Sequence, residues 1–176
     1  MEILKYPHPC LKRKCKVIKR IDETIVRRVA EMFDTVYRAR GLGLAAPQVG
    51  WDARLFVVNV AGEKTGELVF INPRIIEATG TVNEEEGCLS LPGVNAVVPR
   101  AEEVRVQAFD IAGHDFEMKA GGLLAIAIQH ENDHLDGKLF ITKLTRAGKI
   151  AIASKLKELE EQFEAKPTDV PAQCPK

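Results

Sequence analysis

Two histidines four residues apart, with a glutamate directly after the first, stand in the stretch IAIQHENDHLDGKLF: His130, Glu131 and His134. On a helix, residues four apart lie about 40° apart around the axis, so both imidazoles can address one ion while Glu131 sits beside them within reach of a water. That is the chemistry of metal-assisted hydrolysis. The pattern runs on as x-x-Gly-x-x-Phe, so the position where a third histidine completes some sites of this kind holds Phe140. A phenyl ring cannot bind a metal, and the third ligand must come from elsewhere.

The two histidines share one helical face with Leu123, Ile126 and Ala127, all at spacings of three or four. This predicts a helix whose imidazoles lie on its buried stripe. A buried imidazole costs free energy without a partner, and a shared metal removes that cost. Satisfied core histidines are the plainer alternative.

Upstream, EEEGCLSLPG sets Cys88 after Gly87 in what reads as a turn or irregular strand, from which a thiolate can project with the next backbone N–H pointing the same way. Two imidazoles and one thiolate leave a coordination position open, as in catalytic sites. Taken alone, a single cysteine reads more simply as an inert buried side chain. Glu158 offers a carboxylate, but KELEEQFE reads as a solvated helix face. His8, Cys10 and Cys15 in HPCLKRKC match no zinc spacing, and Cys174 falls in a proline-rich tail expected to be frayed.

In GLGLAAPQVG, Gly41, Gly43 and Ala46 match a dinucleotide-binding fingerprint, but that fingerprint follows a strand and opens a helix. Here a helix precedes it, Pro47 interrupts it and a strand follows. The stretch reads instead as a loop that lets a substrate backbone approach, with Gln48 offering an amide N–H to a developing oxyanion. An ordinary loop explains it equally while it stands alone.

The elements that must position these residues can be read around them. From Asp22 to Arg40, Ile25, Val29, Met32, Phe33 and Val36 recur at helical spacing, with Asp22 as N-cap and Gly41 as terminator. RLFVVNV, LVFINPRII, NAVVP, EEVRVQAFD and HDFEMK are short, β-rich and bounded by turn formers, so they predict largely antiparallel strands. GKLFITKL is strand-like. A last helix is expected from about Ala147 to Glu164, with Ile150, Ile152, Leu156, Leu159 and Phe163 on its apolar side.

The sum is an α+β fold. Antiparallel sheets pack around a central His-Glu-x-x-His helix, with one helix at each end of the chain. Residues 1–164 form one catalytic domain and 165–176 a flexible tail. A hydrophobic content of 45% supplies a core, and 25 basic residues balance 25 acidic ones, so no overall field favours a membrane or nucleic acid. The start MEILKYPHPCLKRKCKVIKR has prolines where a secretory signal needs an apolar run, which points to the cytoplasm and to free thiols.

GLGLAAPQ, EGCLS and QHENDHLDG, in that order and with similar separations, closely resemble the three signature motifs of peptide deformylases. The proline-containing start, VVPR and GKLF extend the resemblance over most of the chain, and the closing helix resembles the bacterial form called type 1. The resemblance implies that Cys88, His130 and His134 bind one divalent ion. That ion is Fe2+ in most members, with Zn2+, Ni2+ or Co2+ able to substitute. It implies removal of the N-formyl group from the initiator methionine of nascent chains, with release of formate.

Further roles follow position by position. Glu131 moves protons, Gln48 and the Leu89 N–H hold the oxyanion, and Gly43 pairs with the substrate backbone. Leu42, Ile126, Ala127 and His130 line the methionine pocket, and Glu86 pairs with Arg100 behind the cysteine segment. Asn95 stands where many relatives carry Arg near the pocket mouth. Relatives dock the last helix near the ribosomal exit tunnel. Here Glu158, Glu160, Glu161 and Glu164 outnumber Lys155, Lys157 and Lys166, so the expected docking is weak and salt-sensitive.

Overall fold

The structure, a computed structural model, describes residues 1–62 and 64–165. The first helix, α1 (Glu23–Ala39), begins as expected: the Asp22 side chain accepts from the N–H groups of Thr24 and Ile25. Its end differs by one residue. Arg40, not Gly41, takes the left-handed conformation at φ 53°, and the N–H groups of Arg40 and Gly41 bond back to Tyr37 and Val36.

Five strands form an antiparallel sheet in the order β1-β2-β3-β6-β7: β1 (Gly43–Ala45), β2 (Leu55–Val58), β3 (Leu68–Thr79), β6 (Glu103–Phe109) and β7 (Asp115–Gly121). Strands β4 (Val82–Cys88) and β5 (Leu91–Arg100) form a separate hairpin. GLGLAAPQVG is therefore not all loop. It supplies edge strand β1 and then a 3₁₀ turn at Ala46–Val49.

Side-chain alternation along β2 explains how the sheet is covered. Phe56 and Val58 join Phe70, Val106 and Ile128 under α2 (Gly122–Leu135), while Leu55 and Val57 join Val29, Met32 and Phe33 of α1 on the other face. The hairpin has its own apolar cluster, in which Leu91, Val94 and Val98 meet Phe140, Ile152 and Leu159 from the end of the chain.

Three expectations change here. GKLFITKL is not a strand; Phe140–Lys143 coil into a 3₁₀ turn that buries Phe140. Ile150 is 67% exposed and leaves the apolar face of α3 (Arg146–Glu164), because Ile150 and Ile152 are about 200° apart on a helix and cannot share one face. Leu123 is 50% exposed and His130 only partly buried, so with Ile126 they line a cavity, while Ala127 and His134 of the same stripe are buried as expected and Ala125 and Ile128 also reach the core. The tail expectation, from residue 166 onward, lies outside the described residues. Among those described, no helix is long and apolar enough to cross a membrane.

Helix α3 is tied to the start of the chain by Tyr6, whose hydroxyl donates to Glu160 at 2.6 Å. Burial first, then the hydrogen bond and charge of Glu160, push the Tyr6 hydroxyl up to about 12. A raised folded-state value means that this contact contributes fully below pH 10 and is lost as pH rises through about 12. Ultraviolet titration should place one tyrosine near 12, and Tyr6→Phe should remove that step; a Tyr6 titrating at 10 would contradict the contact.

Candidate metal centre

The three stretches singled out by their chemistry converge on one cavity of about 590 Å³. Its floor is the face of α2 carrying Ile126, Ala127, His130 and Glu131, and its walls come from Gly41–Gly43 with Gln48 and from Glu85–Leu89. Leu42, Gly43, Ile126 and Ala127 all line it.

At the floor, one ring nitrogen each from His130 and His134 and the Cys88 sulfur lie within 4.8 Å of one another. Cys88 ends β4 just before the Leu89–Ser90 turn, which brings its sulfur to 3.3 Å from His134 Nε2. Ligands of one tetrahedral ion with bonds of about 2.0–2.3 Å stand about 3.3–3.6 Å apart, so that spacing suits a shared ion. Two imidazoles and a thiolate also match the donor preference of a late first-row divalent ion. Glu131 adds a further sign: it is buried, and its Oε2 has no hydrogen-bond partner among the described residues. The residues present fit a metal with an open position beside that oxygen.

The protonation of the donors is set from behind. Glu86 Oε2 lies 2.8 Å from His130 Nδ1, which assigns a ring proton to Nδ1 and leaves Nε2 as the nitrogen that would give up its proton to bind an ion. Glu86 is in turn gripped by Arg100, whose Nε and Nη2 donate to the two carboxylate oxygens at 2.5 and 2.9 Å. Burial alone would raise the Glu86 carboxyl, but Arg100 and His130 outweigh it and hold it at about 2. Burial, with the positive charges of His130 and Arg100, keeps His134 neutral. At His130 burial acts the same way, yet Cys88 and Glu86 overcome it and raise the ring's value. Burial pushes the Glu131 carboxyl up to about 7, opposed by the charge of His130.

Gln48 is almost fully enclosed, and its amide is oriented by its neighbours. Its Oε1 accepts from Ala45 N at 2.8 Å, while Nε2 donates to Ser90 Oγ at 3.2 Å and faces Cys88 Sγ at 3.6 Å. A Cβ at Gly43 would stand 2.8 Å from Glu131 Oε1 and 3.0 Å from Val57 O. The N-terminal segment joins the two loops. Leu4 N–H bonds to Gln48 O, Tyr6 N–H to Ser90 O, and Lys5 Nζ to Leu89 O, at 2.8, 2.8 and 2.6 Å.

Other candidates are elsewhere. Glu158 is exposed on α3 and pairs with Lys155. His8 caps the 3₁₀ turn Pro9–Lys12 by accepting from Cys10 N. Cys15 is a buried thiol pushed up to about 12, chiefly by burial. Cys10 is disulfide-bonded, contrary to the expectation of free thiols, and Cys174 lies outside the described residues. Asn95 does not line the cavity; it pairs with Gly87 across the hairpin, its Oδ1 occupying the space where a Gly87 side chain would go.

Residue patterns alone do not reveal two contributors. Asp133 takes a third hydrogen bond from Arg100, Nη1 to Oδ2 at 2.6 Å, although within HENDH it looks like a solvated helix charge. Phe140 stacks on His130 with ring centroids 6.1 Å apart and planes at 28°.

Comparison with known proteins agrees with this geometry. The sequence profile of the family described as Polypeptide deformylase matches residues 1–149. The peptide deformylase of Chromobacterium violaceum is 44% identical over 162 residues, covering 92% of this chain and 97% of its own length. Among solved structures, a peptide deformylase of Arabidopsis thaliana superposes with a TM-score of 0.92 at 42% identity, covering all of this chain and 97% of that one. The Plasmodium falciparum enzyme also reaches 0.92, at 37% identity, over 96% of this chain and all of its own. With the Cys88, His130 and His134 donors gathered at the floor of the cavity, this chain belongs to the polypeptide deformylase family, the metal-dependent hydrolases that remove the N-formyl group from newly made polypeptides.

Proposed function

We propose that Cys88, His130 and His134 hold one divalent ion, Fe2+ in the cell, and that Glu131 is the proton carrier for deformylation of the initiator methionine. The convergence of these three donors beside the unpartnered Glu131 Oε2 carries this reading. When bound, the ion supplies Lewis acidity that polarises the formyl carbonyl and eases deprotonation of water.

The chain's own groups do the rest. Glu131 accepts a proton at Oε2 from the water that attacks the formyl carbon and delivers it to the amine nitrogen as the C–N bond breaks, giving formate and a free amine. Gln48 Nε2–H and the Leu89 N–H donate to the oxygen that gains charge. Gly43 pairs its backbone with the extended peptide along the free edge of β1, and Leu42, Ile126, Ala127 and the His130 ring receive the methionine side chain. Glu86, held by Arg100, keeps the proton of His130 on Nδ1.

The test is formate release from formyl-Met-Ala-Ser by anaerobically purified protein of measured metal content. No formate at full occupancy would defeat the proposal. Cys88→Ala should abolish both metal retention and formate release; a variant that stays active would place the third ligand elsewhere, as in a peptidase of another layout. Cys88 is exposed to oxidation beside a ferrous ion, so the iron form should lose activity in air while the nickel form persists. Equal lifetimes would argue against iron. We infer a cytoplasmic site of action, with any ribosome contact through α3 weak and salt-sensitive, because Glu158, Glu160, Glu161 and Glu164 balance Arg146, Lys149, Lys155 and Lys157 and leave the helix without net positive charge.

A further inference from the structure

The rim of the cavity carries charges that the proposed chemistry does not use. Arg40 and Lys5 lie on the side where α1 passes into β1, and Glu85, the exposed acid of the lining, belongs to β4. The other lining acids are committed: Glu86 to Arg100 and His130, and Glu131 to the centre.

Arg40 is unusual in two respects. It holds the left-handed backbone that glycine adopts without strain, at φ 53° and ψ 37°, although a glycine follows it directly. It is also exposed and makes no ion pair among the described residues. A Cβ at Gly41 would stand 2.8 Å from Leu89 Cδ1, so a side chain there would have to push Leu89 aside. The first side chain this rim can extend outward from β1 past Gly41 is therefore that of Arg40.

The free edge of β1 fixes which part of a substrate passes it. Strand β1 is the edge of its sheet and runs inward from Gly43 to Ala45 and on to Gln48. A peptide whose formyl group lies by Gln48 and Glu131 runs outward, antiparallel to β1. Extended residues advance about 3.3 Å each, so with formyl-methionine opposite Gly43 the third residue comes opposite Gly41, within reach of the Arg40 guanidinium. We propose that Arg40, supported by Lys5, selects substrates by charge, favouring formyl-methionyl chains with Asp or Glu at the third position over those with Lys. This rests on the seating of the peptide along β1 proposed above.

The test compares formyl-Met-Ala-Asp-Ala-amide with formyl-Met-Ala-Lys-Ala-amide at low salt, using metal-loaded protein, with formyl-Met-Ala-Ala-Ala-amide as the neutral reference. The expected kcat/KM ratio is about fivefold in favour of Asp, the upper range for an exposed ion pair, shrinking towards one as salt is raised. Arg40→Lys should keep the order, and Arg40→Glu should reverse it. The ratio comes from one preparation, so a general loss of fold or metal cancels. Equal rates for the wild-type chain, or an order unchanged in Arg40→Glu, would overturn the proposal and leave deformylation intact. No formate even from the neutral peptide would overturn both.

Discussion

Glu131→Gln should lower formate release at least about a hundredfold while the fold and the bound ion stay in place, the lower range for loss of a general acid-base group. The side chain is well confined for such a test: it is buried, lies against Gly43 on one oxygen, and keeps the other without a protein partner. An amide of the same shape fills that space but cannot accept the proton, so turnover should fall far more than substrate binding. Metal analysis and a titration with a non-hydrolysable peptide separate the outcomes. Loss of the ion would make Glu131 a ligand, and near-normal formate release would place the base elsewhere.

The second large effect is on stability. Arg100 is 3% exposed and holds two carboxylates, Glu86 through two hydrogen bonds and Asp133 through one. Arg100→Met fits the space of the stem but leaves Glu86, almost fully enclosed, with His130 alone, and Asp133 with only Lys143 at 3.4 Å. Breaking a buried pair from one side costs about 3–5 kcal/mol. Arg100→Lys should recover only part of this, because an ammonium cannot reproduce the planar fork. Urea denaturation at fixed metal content would measure it, and adding Glu86→Gln to Arg100→Met should restore part of the loss. A change below about 1 kcal/mol would mean that water, not Arg100, satisfies these groups.

How far the sequence speaks depends on what kind of contact is involved. His130, Glu131 and His134 are legible because helical periodicity turns spacing into direction, and Cys88, Glu86 and Arg100 are reached through motif resemblance. The face with Leu123, Ile126 and His130 is periodic for a reason that apolarity cannot distinguish: a cavity wall and a core both select such side chains. Asp133 goes unnoticed and Ile150 is misread because burial of a charge and exposure of an isoleucine depend on what packs opposite, which is not local information. The left-handed Arg40 escapes because Gly41, the better candidate, stands beside it. Backbone hydrogen bonds from Leu4 and Tyr6 leave no mark on residue type at all.

Those N-terminal bonds bear on the order in which the molecule assembles. Lys5 reaches Leu89 across 84 residues of chain, Cys88 meets His134 across 46, and Gln48 meets Ser90 across 42. Each such closure costs loop entropy before it returns any contact energy, so the centre is completed late, after the sheet and its helices have packed. Two of the three donors sit on α2, and a growing chain that has reached only residue 129 has neither. A chain that stops short of residue 130 therefore lacks two of the three donors proposed to hold the ion, and an ion that binds only the finished centre slows unfolding without hastening folding.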